Sequence, residues 1–554
     1  MYYHRKLTIL LFAFLLEFRV RISNLAVSAI LFANVCSLAA DHPPTADKEA
    51  LRALELAGAG ASGMRGVDRA YAYWLISRDY SGLDNKAQLE MAKKSCESAI
   101  RAEPEASDPG LRLRVERDSL QLILVMQPKK GEEFLAQADP QVRQWITADK
   151  AASVANKGDI DKALDMLAQD MSQSSEYPYA QAMKVMRTLP ASDREDKDRV
   201  FAQALTYYRV KNDKYNITMF DLGAMVEKFW QDLSPGLVLE AIDALLESAE
   251  SEATADFHQE ISLSSSKGTA GFGSIYQYRA FQLMPALNAL DPSRAKKITE
   301  NFQQMADLQK QFPDGLSTLG EKDSKQSISF SIKNGPATSA AGSGDGLPQI
   351  RLQARADKII ADAGDDTDTA LKNALALPDN LQAMQSVKAD LLLRIATLTQ
   401  KSHPSKSMNA LHELANLIKD YPPLAQSRYL VEMGDLYLRM KEKDAATDAI
   451  ERGLKQMVLL YKIDTNSDDP NRALKSSWPS TVVSRALVSL ATRVSAKLSE
   501  DTIKQAPDPD FQVFDRIEVA SVLLKTPSYP ALMHESHKDN KMSYGVFPVP
   551  SVSQ

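Results

Sequence analysis

Apolar residues recur along most of this chain at the spacing of one helix face. Ala70, Trp74, Leu75 and Arg78 lie at i, i+4, i+5 and i+8, and Leu89, Ala92, Cys96 and Ala99 continue the pattern. Val238, Ile242, Leu245 and Leu246 repeat it after Ser234-Pro235, a dipeptide that reads as an N-cap followed by a proline at the first helical position. Leu391, Ile395 and Leu398, then Leu411, Leu414, Leu417 and Ile418, carry it into the C-terminal half. Strict alternation, the signature of a half-buried strand, is confined to Ile261-Ser262-Leu263 and to residues 327–332. The expected fold is therefore all-α, with about twenty helices joined by short polar turns. Short turns force antiparallel neighbours, so the unit is the helical hairpin, and the expectation is a stack of such hairpins. A minor β-ribbon pairing 257–264 with 327–332 is the one β element the pattern allows.

The clearest hairpin runs over 427–461 and holds Leu430, Gly434, Tyr437, Ala446, Ile450 and Gly453. Small residues let two helices approach, and the large ones fill the groove between them. These spacings resemble the tetratricopeptide repeat, a helical hairpin of about 34 residues that stacks into an α-solenoid. The resemblance places the family's small residues at Gly434 and Ala446 and its first-helix aromatic at Tyr437. Ile450 stands where the family usually has an aromatic, and Val458 where it has proline. A second unit, 145–171, has the turn Lys157-Gly158-Asp159, then Ala163 and Leu167 four apart on the second helix. Together the two cover about 60 residues. The hairpins 66–100 and 387–420 have a similar length and a looser pattern. The chain is also similar to uncharacterised exported bacterial proteins of helical-repeat type, a likeness that implies no particular activity.

Three stretches interrupt the helical pattern. The first, 252–273, is rich in Ser and Gly. The second, 313–348, contains Gly335-Pro336, a run of small residues and Pro348, the composition of a flexible linker. The third, 527–554, holds Pro527, Pro530, Pro548 and Pro550 among polar residues and reads as a loose tail. The expected division is an N-terminal helical array at 41–312 and a C-terminal one at 349–526.

Residues 1–40 stand apart. Arg5 and Lys6 precede an apolar run over 7–16, and a second run over 25–40 ends in Ser37-Leu38-Ala39-Ala40. A basic start, an apolar stretch and a small-residue end predict an export signal cut after Ala39 or Ala40. Two apolar runs are one too many, which would be explained by a start at Val20. Neither run reaches the ~20 residues of a spanning helix, which argues against a membrane anchor. Ala33-Asn34-Val35 before Cys36 lacks the small residue that lipoprotein processing prefers.

Composition sharpens the class. The 554 residues are 44% hydrophobic and 25% charged, ordinary globular proportions. The net charge is −6, and removing 1–40 (four Lys/Arg, one Glu) takes it to −9. That balance argues against nucleic acid as a partner. Removing 1–40 also leaves Cys96 as the one cysteine, so an internal disulfide is not expected; its position on an apolar helix face reads as packing.

No cofactor, metal or catalytic residue is expected. His534 and His537 flank Glu535 in the tail with nothing nearby to complete a metal set, and His403 and His412 read as surface residues. Asp464-Thr465-Asn466-Ser467-Asp468 opens like a calcium loop. It then places Asp469 where the sharp turn needs Gly and Lys475 where a bidentate Glu belongs. Trp74, Trp145, Trp230 and Trp478 all sit in apolar contexts and read as core. The candidate surface is Tyr276, Tyr278 and Arg279, beside the Ser/Gly stretch. The functional expectation is an exported, periplasmic or secreted, non-catalytic scaffold that binds a protein partner of the cell envelope, with no stable membrane insertion. The alternatives are a wall- or glycan-acting enzyme on a helical superstructure, or an accessory of outer-membrane assembly or nutrient binding.

Overall fold

The structure, a computed structural model, describes residues 44–102, 109–168, 177–190, 192–211, 221–252, 257–265, 268–312, 315, 329–336, 352, 355–356, 358–360, 366–379, 381–382, 385–468 and 474–526. The expected signal at 1–40, most of the expected linker at 313–348 and the tail at 527–554 lie outside these residues.

The chain is all-α, as the helical period predicts. The N-terminal half holds α1 (Pro44–Ala61), α2 (Gly66–Asp79), α3 (Asn85–Arg101), α4 (Pro109–Met126), α5 (Pro128–Leu135), α6 (Pro140–Ala155), α7 (Ile160–Ala168), α8 (Tyr179–Thr188), α9 (Arg194–Lys211), α10 (Leu222–Phe229) and α11 (Pro235–Glu252). Strands β1 (Phe257–Ser265) and β2 (Gly268–Phe272) follow, then α12 (Ile275–Leu290), α13 (Pro292–Asn301), α14 (Gln303–Gln311) and β3 (Ser329–Pro336). The C-terminal half holds α15 (Thr367–Leu375), the short β4 (Leu381–Gln382) and β5 (Gln385–Ser386), then α16 (Val387–Thr399), α17 (Pro404–Leu417), α18 (Pro423–Arg439), α19 (Lys443–Thr465), α20 (Pro479–Val494), α21 (Ala496–Lys504) and α22 (Pro509–Leu523).

Prolines and acidic caps set many of the helix starts. Pro128, Pro140, Pro292, Pro404, Pro423, Pro479 and Pro509 each occupy a first-turn position, where the missing N–H costs nothing. Asp84, Asp139, Asp221, Asp291, Asp366 and Asp508 accept N–H bonds at helix starts. The turn before α7 uses Gly158 at φ 86, a left-handed conformation that glycine adopts without strain. Lys441 takes the same role between α18 and α19 at φ 67.

The alternating segments do pair. β1 is the central strand of a small antiparallel sheet of order β2-β1-β3, with Ile261 opposite Ile332 and Leu263 opposite Phe330. Two expectations are corrected here. The Ser/Gly stretch is a hairpin, with Ile261 opposite Phe272. Part of the expected linker is strand β3 rather than flexible chain. Buried Ile261, Ala270 and Phe272 face α12, where the Phe272 ring meets Tyr278 at 5.7 Å and Phe281 at 5.3 Å.

Within the expected hairpins the packing follows the small residues. Gly434 and Gly453 open a groove that α20 fills: a Cβ on Gly453 would lie 2.6 Å from Leu487 Cδ2, and one on Gly434 2.8 Å from Leu490 Cδ1. Leu430, Tyr437, Ala446 and Ile450 are buried around them, as are Ala163 and Leu167 in α7. Leu398 differs from its predicted place: it is 48% exposed, because α16 buries Leu391 and Ile395 and turns the next position outward.

The order of helices in space is not the order in sequence. α18 packs on α19, α19 on α20 and α20 on α22; α22 then packs on α1 and α2, which leads on to α3, α4, α6, α8 and α9. Among the described residues the first and last helices share one hydrophobic cluster, with Leu54, Ala57, Tyr71 and Ile76 against Phe514, Ile517, Ala520 and Leu524. Thus the two expected arrays meet at their outer ends, with the C-terminal half leading and the N-terminal half following.

Candidate functional site

Among the described residues, buried polar clusters and an open groove are places where chemistry or recognition could reside. The first lies between α10 and α12. Arg279 is 4% exposed and donates to Asp221 at 2.7 Å and to Gln282 Oε1 at 2.7 Å. Asp221 also caps α10 by accepting from Ala224 N–H at 2.8 Å. Burial alone would lower the guanidinium's pKa, but the adjacent Asp221 carboxylate carries it above its usual value. Glu227, to which Gln282 donates, is pushed up by burial. A Cβ on Gly223 would strike the Arg279 guanidinium, so the glycine makes the pair's room.

This placement corrects the candidate surface. Tyr278 and Arg279 are buried, and Tyr276 is partly buried against Phe302 at 5.8 Å. Tyr278 faces Phe272 of β2, so the strand that replaced the expected loop covers the aromatic. The missed residues were Asp221 and Gly223. Part of their signal was present, since an Asp before an apolar helical run is an N-cap, but nothing local to Arg279 pointed to Asp221 as its counter-ion.

The second cluster joins α16, α18 and the segment before them. The Ser386 hydroxyl and the Tyr421 hydroxyl both donate to Asp379 Oδ1, at 2.8 and 2.7 Å. Tyr429 donates to Asp390 at 2.9 Å, and Arg428 pairs with Asp390 at 3.3 Å. Burial raises both phenol pKa values, so each hydroxyl keeps its proton to donate. Ser386 also accepts from Ala389 N–H, so its proton is committed to Asp379 and a lone pair to starting α16. These contacts tie the start of α16 to the segment before it and to α18.

The third cluster is at the start of α6. Glu116 is fully buried, accepts from Asp139 N–H at 2.7 Å and pairs with Arg112 at 3.2 Å; Arg112 also reaches Asp139 at 2.7 Å. Burial raises the Glu116 carboxyl to about 7 against those stabilising contacts. Nearby Cys96 is fully buried and its thiol is pushed upward by burial, the state of a packing residue.

The fourth lies where α20 and α22 meet α2. Ser484 donates to Asp515 at 2.8 Å and Arg485 to Glu518 at 3.1 Å, all four buried. Burial lifts the Asp515 carboxyl to about 8. Beside it Asp68 accepts the N–H groups of Lys475 and Ser476 at 2.8 and 3.0 Å.

A further feature is a groove of about 490 Å³ between α9 and α11, lined by Arg194, Glu195, Asp198, Arg199, Ala202, Ser234 and Leu237. Ser234 N–H donates to Asp198 at 2.9 Å, and its hydroxyl donates to the same carboxylate, so the residue read as a cap also ties α11 to α9. Arg199 pairs with Asp196 at 3.1 Å and with Asp161 of α7. Arg194 and Glu195 are exposed at the groove's rim.

The calcium-like segment resolves differently. Asp464 is buried and accepts from Ser480 N–H at 2.9 Å, so its carboxylate starts α20. Trp478 packs on Tyr461 and Phe511, and Trp145 lies under the Arg117 guanidinium at 5.7 Å. His403 and His412 are exposed. Among the described residues no group of three or more His, Cys, Asp or Glu is arranged to hold a metal ion. Among the same residues no helix is long and apolar enough to cross a membrane. No family model matches the chain, and no curated protein matches it.

Proposed function

We propose that this chain is an exported, non-catalytic helical scaffold that binds a protein partner of the cell envelope. The observation that carries the reading is how its buried charge is used. Asp68, Asp221, Arg279, Asp464, Arg485 and Glu518 are each bonded between helices or at a helix start. They build a frame and leave recognition to exposed faces. The groove between α9 and α11 offers such a face, with Arg194 and Glu195 presenting opposite charges beside Ala202 and Leu237. A mixed polar rim around an apolar floor suits a protein surface. The expected −9 charge favours a basic or neutral partner. Export rests on the basic start, apolar run and small-residue end of residues 1–40.

The test uses envelope extract and the double variant Arg194→Glu, Ala202→Arg, which reverses one rim charge and fills the floor. The expected result is that the unaltered chain retains one protein stoichiometrically and the variant loses it while keeping the same thermal midpoint. Turnover of purified peptidoglycan by the chain, abolished by Glu195→Gln or Asp198→Asn, would replace this reading with a catalytic one.

A further inference from the structure

The junction of α1 and α2 with α22 has the build of a protein–protein interface. On one side stand α20, α22 and the turn at Lys475–Ser477; on the other stand α1 and α2. Its apolar centre is closed: Leu54, Ile76, Phe514 and Ile517 are fully buried in one cluster. α1 approaches α22 closely because it is written in small residues at the contact. A Cβ on Gly60 would lie 2.7 Å from Val513 Cγ2. Polar pins frame the centre and fix its register. Asp68 holds the N–H groups of Lys475 and Ser476. At the other end Asp79 accepts from the Ser521 hydroxyl and from Thr526, and Arg78 reaches Ser521 at 3.2 Å. An apolar centre framed by polar contacts is the anatomy of a specific interface.

We infer that this junction is a self-sufficient interface, and that the N-terminal half, residues 44–312, is the partner which the C-terminal half, 366–526, binds. The two halves of one molecule fit each other in cis. The covalent joint after β3 raises their effective concentration but does not hold them together.

The test keeps the full chain. A site-specific protease sequence is inserted after Gly342, beyond β3, and the folded protein is cut. The expected result is that both pieces elute together at the volume of the uncut chain. With Asp68→Ala and Asp79→Ala combined, the cut pieces should separate, association being weaker by on the order of a hundredfold, since several buried donors lose their acceptors. Circular dichroism of the uncut variant checks that its helices persist. Separation of the cut pieces with the native junction would overturn the inference. So would co-elution of the cut variant, which would place the binding elsewhere. Elution at twice the mass would show exchange between copies and overturn the cis arrangement.

Discussion

The backbone N–H of Ser476 donates to the carboxylate of Asp68 at 3.0 Å, across 408 positions of chain. Lys475 N–H donates to the other oxygen of the same carboxylate at 2.8 Å. Asp68 thus satisfies two backbone donors at the base of a single helical turn, although burial raises its pKa. Asp68→Ala should leave both donors buried and unpaired. At about 1–3 kcal/mol for such a group, the midpoint of urea unfolding should fall clearly. Asp68→Asn keeps one carbonyl acceptor and should lose less. Equal losses for the two variants would mean that side-chain volume, not hydrogen bonding, matters there.

A second relationship is steric. Gly453 faces Leu487 so closely that a Cβ would come within 2.6 Å of Leu487 Cδ2. Gly453→Ala should cost about 1–3 kcal/mol by overpacking. Leu487→Ala alone should cost about 2–5 kcal/mol by opening a cavity. Because the two changes act on the same space, the double variant should be less destabilised than their sum, measured as a thermodynamic cycle in urea. Strict additivity would separate the two residues energetically.

These two cases mark what was legible in the chain. Gly434 and Gly453 could be read because small residues at helical spacing carry their meaning locally. What they accommodate could not: the Leu490 and Leu487 that fill the groove sit on α20, a later helix. Asp68 carried no local signal, because its partners lie in the opposite half of the chain. The alternation at Ile261-Ser262-Leu263 and at residues 327–332 was legible as strand and was paired correctly, since period two is a one-dimensional signal. The burial of Tyr278 and Arg279 was not, because the cover comes from β2 and the counter-ion from Asp221, 58 positions upstream. The groove between α9 and α11 is likewise a product of tertiary packing, assembled from Arg194 to Ala202 on one helix and Ser234 to Leu237 beside another.

Stability should fall as pH rises through neutrality. Asp515 is raised to about 8 and Glu116 to about 7, both by burial. Each group binds its proton more tightly in the folded chain than in the unfolded one. The stability they contribute is therefore full below the unfolded carboxylate value, about pH 4, and is lost as pH rises through about 7 for Glu116 and about 8 for Asp515. Urea unfolding measured from about pH 5 to about pH 8.5 should show a declining free energy. Asp515→Asn, which keeps the shape and can still accept from Ser484, should flatten the decline above pH 7. An unchanged slope in that variant would show that Asp515 is ionised throughout.

The Arg279–Asp221 pair gives the largest expected effect. Both side chains are 4% exposed, and the pair spans 2.7 Å. Asp221→Ala removes the carboxylate to which Arg279 donates, and with it the bond to Ala224 N–H that starts α10. Breaking a buried pair from one side costs about 3–5 kcal/mol, since the remaining charge stays desolvated. Replacing both partners should cost less, because Arg279→Met with Asp221→Asn leaves no ion behind and retains a side-chain acceptor for the helix start. Gly223→Ala should mimic the single loss, since its Cβ would displace the guanidinium. The ordering expected in urea unfolding is that Asp221→Ala and Gly223→Ala fall below the Arg279→Met, Asp221→Asn double variant. The reverse ordering would mean that the ion pair itself, and not the avoidance of an unpaired buried charge, holds α10 against α12.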